Sequence, residues 1–505
     1  MLLTDDLLLN YKRCQRRVFL SFYGDAKHRS QEKEFLLKLK RESDRHLKET
    51  LAKLYGIFIP PKPSISHWEA AAQKTEAMMA AGVDFIPAGV LAINLPTWQL
   101  SCFVYGGKGN FTIPAAKDLP VEQLTKIMLV GTPNLLIKQP GRSKFGKWTY
   151  TPLNVRYGSR PKSEYKLIAA FHSQLLAIFL GNLPTTAELI LRQHDRYKVN
   201  LTTWLPKMQE IVADCLTMSI QQIEPEVFIS RQRCNLCRWY DHCYQIAKSQ
   251  AHLSLVPGVT PKRYSHLQNK EIKTLESLAT INPDDFDKSL GIGVANKLQT
   301  QALALVKQQP IIENIEQLKH LPNHSVELYF DIEAEPDRNL DYLLGLLLVD
   351  KSNKQEKFYA FVAEKPEQEP TIWQQFLDFV LQYPQAPIFH FSQYEIETII
   401  RLAKLYKTPW HQVETVLNRC YDLHSLVVKS LILPVENYSL KTLANWLGFQ
   451  WRNIAANGEQ SVCWYDRWLE TGERNLLEAI ILYNEDDCRA TFILKKWLES
   501  LTSNC

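Results

Sequence analysis

Val326-Glu-Leu-Tyr-Phe-Asp331-Ile-Glu333 is the stretch that decides the fold of the last third of this 505-residue chain. It alternates in polarity and is rich in strand formers, which predicts a β-strand ending on two carboxylates. Side chains at i and i+2 of a strand share one face, so Asp331 and Glu333 stand side by side. A second acidic stretch, Tyr483-Asn-Glu-Asp-Asp487, lies in a helical pattern running from about Leu476 to Leu498. There Tyr483 and Asp487, at i and i+4, share one face. A carboxylate pair on a strand and an Asp on a late helix make an all-oxygen donor set. Magnesium accepts such donors while keeping its waters. Two such ions, roughly 3.5–4 Å apart, act on both the attacking and the leaving oxygen of a phosphodiester.

Taken singly, D-x-E and Y-x3-D are common accidents. In this order and about 150 residues apart, they resemble the DnaQ-like, or RNase H-like, 3′–5′ exonucleases. That family carries D-x-E on its first strand and Y-x3-D on its final helix. The resemblance implies that Asp331, Glu333 and Asp487 bind metal and that Tyr483 positions the attacking water. It also implies an acid between the two motifs. Ile388-Phe-His-Phe-Ser-Gln-Tyr-Glu395 reads as a short strand and a helix start, with Glu395 in the acid's place. It departs from the family in having Glu for Asp and in having Phe391 where the family has Asn. Asp422, in Cys420-Tyr-Asp-Leu, is the reserve candidate; its ordinary role is to support a turn.

The length suits about three domains with ample core. Hydrophobic content of 45% and charged content of 22% are ordinary for a globular chain. No apolar run reaches about 18 residues, so no transmembrane helix is expected. The start, Met-Leu-Leu-Thr-Asp-Asp, lacks the basic and apolar regions of a secretory signal, and a cytoplasmic location is expected. The net charge of +5 is unevenly spread. Residues 1–300 carry 40 Lys and Arg against 26 Asp and Glu, whereas residues 301–505 carry 19 against 28. A basic front attracts a polyanion such as nucleic acid, and an acidic back suits metal-binding carboxylates.

Ten cysteines in a cytoplasmic chain point to ligands or buried thiols rather than disulfides. Three are close: Cys234-Asn-Leu-Cys237-Arg-Trp-Tyr-Asp-His-Cys243. Alone, this trio also reads as a zinc knuckle with His242 as fourth ligand. Cys14, in Tyr11-Lys-Arg-Cys14-Gln-Arg-Arg, is the other fourth candidate. An early Cys in that setting, followed more than 200 residues later by a compact trio, resembles the iron–sulfur nucleases of the RecB family. The resemblance implies a [4Fe–4S] cluster on Cys14, Cys234, Cys237 and Cys243 that closes a long loop and is structural.

The segment between those cysteines resembles the rest of the RecB-like, PD-(D/E)xK pattern. That family places an Asp after Gly-x-Pro and a (D/E)-x-K on the next strand. Here the segments are Gly131-Thr-Pro-Asn134 and Leu153-Asn154-Val-Arg156, joined by the hairpin Gly141-Arg-Ser-Lys-Phe-Gly146 and followed by the helix from Glu164. Asn134 and Asn154 stand where acids belong, and Arg156 where Lys belongs. Amides do not hold a divalent cation against its hydration as carboxylates do, and Arg stays protonated. His46 matches the family's early His. The expectation is a catalytically degenerate nuclease fold, with Asn134 beside Asn154 on adjacent strands and no carboxylate pair nearby.

Residues 253–308 hold two loops that each lead into a helical pattern: Leu255-Val-Pro-Gly258-Val-Thr-Pro-Lys262-Arg263 and Leu290-Gly291-Ile-Gly293-Val-Ala-Asn-Lys297. Such loops either make tight interhelical turns or present backbone N–H groups to a phosphate. They resemble a helix–hairpin–helix module, which grips nucleic acid without reading sequence.

The expected architecture is therefore α/β and multidomain: a RecB-like domain over 1–250, a helix–hairpin–helix connector over 251–312, and an RNase H-like mixed sheet with flanking helices over 313–505. The whole order resembles the bacterial RecB-like nucleases fused to an RNase H-like domain. It implies a metal-dependent 3′–5′ exonuclease on DNA, acting in repair, recombination or defence, with two magnesium or manganese ions on Asp331, Glu333, Glu395 and Asp487. Two other readings remain open: a non-catalytic nucleic-acid adaptor, and an exonuclease on RNA.

Overall fold

The computed structural model describes residues 1–58, 67–105, 121–286 and 290–503. The chain forms two compact units, one of residues 1–227 with 231–244, the other of 228–230 with 245–505. Both mix helices with mixed sheets. Among the described residues no helix is long and apolar enough to cross a membrane.

The first unit holds eight strands among its described residues: β1 (Leu2–Thr4), β2 (Phe85–Pro87), β3 (Leu91–Asn94), β4 (Met128–Gly131), β5 (Leu135–Ser143), β6 (Gly146–Val155), β7 (Ala187–Ile190) and β8 (Arg196–Val199). Five form one sheet in the order β2-β5-β6-β7-β8, and β1, β4 and β3 form a second. The expected hairpin is present. Ser143 pairs with Gly146, and Gly146 takes a positive φ of 146°, which a Cβ would strain. Helix Ser163–Leu180 is apolar nearly all round and is buried as such a helix must be. Leu167, Ile168, Phe171, Leu175 and Leu176 sit in the unit's main core with Leu129, Leu136 and Tyr150.

In the second unit a five-stranded sheet runs in the order β12-β11-β10-β13-β14. Its strands follow β9 (Ile311–Ile312) and are β10 (Val326–Glu335), β11 (Leu340–Asp350), β12 (Gln355–Val362), β13 (Ile388–His390) and β14 (Cys420–Asp422); β15 (Leu431–Ile432) pairs with β9. β10 and β11 are antiparallel, whereas β13 and β14 run parallel to β10. The predicted strand is thus the central one. Its neighbour β11 is buried on both faces, which explains the unbroken apolar run Tyr342-Leu-Leu-Gly-Leu-Leu-Leu-Val349. The final helix, Arg474–Ser503, is longer than the pattern predicted and crosses β10 and β11. A lengthwise slip in this register would carry Asp331 away from its partners, so packing on β11 fixes the site.

Short helices Pro261–Asn269 and Leu275–Ala279 and the longer Val294–Lys307 share a small core of Leu253, Val256, Tyr264, Leu267, Leu278 and Leu298. Thr260 caps the first of these helices with its side chain. Gly293 opens the last with a left-handed backbone, φ 70°. Both glycines of the second loop take positive φ, and Ile292 between them is 93% exposed.

Candidate functional site

The carboxylates of Asp331, Glu333 and Asp487 converge, with one oxygen of each within 4.8 Å of the others. Among the described residues this is the only group of three or more His, Cys, Asp or Glu placed to hold an ion. The strand period puts Asp331 and Glu333 on one face, and the final helix delivers Asp487 across that face. Glu333 is 5% exposed and Asp487 8%. A β-bulge follows Glu333 and shifts the register there, before the last two pairs, Ala334–Asp341 and Glu335–Leu340.

Three like charges taken out of water do not ionise together readily. Burial, then Asp487, Glu333 and Glu395, hold the Asp331 carboxyl well above its ordinary range. Burial and Asp487 do the same for Glu333, against hydrogen bonds from Ser461 and Asn484. Burial pushes Asp487 up to about 7, against hydrogen bonds from Trp451 and Tyr483 and the charge of Lys441. Without a cation, the group thus tends to keep protons. An all-oxygen, buried, repelling set of this kind fits a hard divalent cation, which would replace those protons.

Tyr483 sits one turn before Asp487 on the same helix; burial and the neighbouring carboxylates, Asp487 first, raise its pKa, so it stays a phenol. The Trp451 indole N–H donates to Asp487 Oδ1 at 2.8 Å. Arg452 binds the adjacent Asp486 through its backbone N–H and its guanidinium, at 2.9 and 2.7 Å. Asn484 Nδ2 donates to Asp331 Oδ2 at 2.7 Å. Lys441 lies over the Trp451 ring and donates to Ile454 O and Ala456 O.

The structure does not bring Glu395 into the group of three. Its carboxylate accepts from Ser392 Oγ at 2.9 Å and lies 3.6 Å from His390 Nδ1, while its charge still acts on Asp331. Asp422 takes its ordinary role, accepting from the Ser425 N–H at 3.1 Å as the cap of helix Leu423–Ser430. It lines a cavity of about 460 Å³ with His390, Gln393 and Leu417. Sequence reasoning missed Trp451, Ser461 and Gly345. The first two lie in turns and helices with no motif of their own, and Gly345 is hidden in an apolar run. Asn484 lay inside the quoted motif, but nothing in the spacing marked it.

In the first unit, Asn134 and Asn154 do face each other, one step beyond the Leu135–Leu153 pair. Asn134 Oδ1 accepts from the Val155 N–H at 2.8 Å. Both polar atoms of the Asn154 amide are buried without a partner. Asp5 and Asp6 act on Arg156 more strongly than any other charged group does, and Asp5 also binds Thr132 and His172. The amino terminus folds back to these strands because β1 pairs with β4, immediately before Thr132. His46 stacks on His194, 5.6 Å between centroids, and meets the edge of Tyr157.

Cys14 lies between two helices and accepts from the Arg17 N–H. It acts electrostatically on Cys237 and Cys243, despite the separation in sequence. Burial raises both thiols, Cys243 to about 11.

No curated protein matches the chain. Residues 328–499 match the RNase_H_2 family model, of the RNase_H superfamily. That span begins in β10 and ends in the final helix, and so contains the three converging carboxylates. The last third of this chain is therefore an RNase H-like domain, of a superfamily that suggests nucleic-acid hydrolysis and the use of divalent metals.

Proposed function

We propose that the C-terminal domain is a metal-dependent 3′–5′ exonuclease acting on DNA. The observation that carries this reading is the convergence of Asp331, Glu333 and Asp487, with a protonated Tyr483 on Asp487. The three carboxylates would hold two magnesium or manganese ions, with Glu395 at their margin. When bound, such ions polarise a phosphodiester and make water nucleophilic near neutral pH. Tyr483, kept as a phenol, orients that water by its hydroxyl. Asp487, tied by Trp451, keeps its carboxylate aimed at the shared centre.

DNA is favoured by the basic balance of residues 1–300 and by the left-handed glycine loop that opens helix Val294–Lys307. Such a loop presents N–H groups to a phosphate without reading bases. We read residues 251–312 as that connector and residues 1–250 as a degenerate RecB-like fold with a four-cysteine cluster. Cys14 near Cys237 and Cys243 supports the cluster. An iron–sulfur centre is the form of that cluster the resemblance favours, with a zinc site as the alternative.

End-labelled DNA and RNA, incubated with magnesium or manganese, test the main reading. The expected result is stepwise shortening of DNA from its 3′ end, lost on adding chelator and lost in Asp331→Ala. Shortening that persists in Asp331→Ala, or cutting only within strands, would overturn it; shortening of RNA alone would change the substrate. The place of Glu395 outside the group of three favours a second reading, a nucleic-acid adaptor. Tight DNA binding with no cleavage in either metal would select that one.

A further inference from the structure

We propose that Asn484 is a positioning residue for the metal site, and that Gly345 is a glycine in order to seat it. The inference rests on the reading of Asp331, Glu333 and Asp487 as metal-binding carboxylates. Asn484 is fully buried. Its Nδ2 donates to Asp331 Oδ2 at 2.7 Å, and it lies close enough to Glu333 to favour that carboxylate's charged form. It is thus a neutral side chain bonded to one carboxylate of the D-x-E pair and set beside the other. A primary amide nitrogen has two N–H donors. One holds Asp331; the second, turned to the neighbouring Glu333, would tie the two acids together without adding charge.

The seat for this amide is cut into β11. Gly345 is the register partner of Asp331. A Cβ at position 345 would lie 1.6 Å from Asn484 Oδ1 and 2.8 Å from its Cγ. No rotation of a methyl group relieves such an overlap, so any larger residue at 345 must push Asn484 off Asp331. Asn484 Oδ1 itself finds no hydrogen-bond partner. Burying an unsatisfied carbonyl is unfavourable, so the amide is held at a cost in stability. The gain lies in the donor end, which keeps two repelling carboxylates parallel and aimed at one centre. Partners of this kind typically change metal affinity by about 10- to 100-fold.

The test is calorimetric titration of the full-length protein with manganese, alongside cleavage of end-labelled DNA. Asn484→Leu keeps the volume and removes both donors; Asn484→Ala removes the side chain. Each is expected to weaken manganese binding about 10- to 100-fold. Gly345→Ala should weaken binding similarly in the wild-type background and add little to Asn484→Ala, since the clashing amide is then gone. A purely structural role would lower the melting temperature and leave the affinity of the folded fraction unmoved.

Unchanged manganese affinity in both Asn484 variants would overturn the inference, as would full additivity of Gly345→Ala with Asn484→Ala. The two readings separate cleanly. Wild-type protein that binds manganese but cleaves nothing sinks the exonuclease, while the affinities still decide the role of Asn484. Wild-type cleavage with unaltered affinity in the variants sinks only the role of Asn484. A wild type that binds no manganese sinks both.

Discussion

Two places in this molecule bring polar side chains together on neighbouring elements, and they behave oppositely because of one functional group. At the end of β10, three carboxylates meet and none can donate to another when ionised. Their pKa values rise, and the set calls for a cation. Where β5 and β6 meet, two amides face each other. An amide carries its own donor and acceptor and no charge. Asn134 uses its oxygen to accept from a backbone N–H, and the nearby cation, Arg156, is offset by Asp5 and Asp6. Shape is almost the same in Asp and Asn; what differs is whether the side chains carry a charge that calls for a cation.

The sharpest way to break this contrast is to remove one carboxylate. Asp331→Ala should lower the rate of DNA shortening by at least about 10²–10³-fold, the loss typical of one preorganised electrostatic group. Asn134→Ala should leave the rate unchanged, as gel assays of the two variants would show. Comparable losses in both would mean that the amide-lined strands still take part.

Protons and metal compete at the acidic site and not at the amides. A carboxyl raised in the folded state binds protons there that the unfolded chain has released. Metal-free protein therefore loses stability as pH rises from the ordinary 3.8 through about 7, the Asp487 value. Metal affinity should run the other way, rising about tenfold per pH unit for each proton displaced, up to that same pH. Calorimetry in magnesium or manganese from pH 5 to 8 checks the sign; a flat profile would mean that the carboxylates are already ionised without metal.

A smaller effect is expected one bond further out. Trp451→Phe keeps the ring but removes the N–H donated to Asp487. Metal binding should weaken about tenfold, read by titration, with melting changed little. No change would mean that the ligand helix alone aims Asp487.

The smallest expected effect sharpens the other half of the comparison. Asn154→Leu replaces a buried amide that has no partner, so it should stabilise the first unit by about 1 kcal/mol or leave it unchanged. Thermal melting reads this directly. A loss of several kcal/mol would show that the amide has a bound partner in solution and that the strand ends still serve a ligand.

Much of the candidate site was legible before any fold was known. The strand period placed Asp331 beside Glu333, and the helical period placed Tyr483 beside Asp487; both depend only on neighbours along one element. Glu395 was less legible. Its helix position was right, yet Ser392 and His390 hold its carboxylate outside the group of three, and no period predicts which donor a carboxylate will take. The hairpin at Gly146 was also legible as a turn, but the ladder shifts register between Pro140 and Ser143, so the turn alone did not decide that Asn134 comes to Asn154.

What the sequence by itself determined is therefore local: strand, helix, turn, and which side chains share a face. Tertiary structure decided every meeting between distant segments. It set Asp331 opposite Gly345, laid the final helix over that gap so that Asn484 fills it, brought Trp451 to Asp487, and returned Asp5 to Arg156. The physical reason is that periodicity is a property of one element's backbone. Partners across elements are chosen by close packing and by the need to satisfy buried polar groups, and both exist only once the chain has folded.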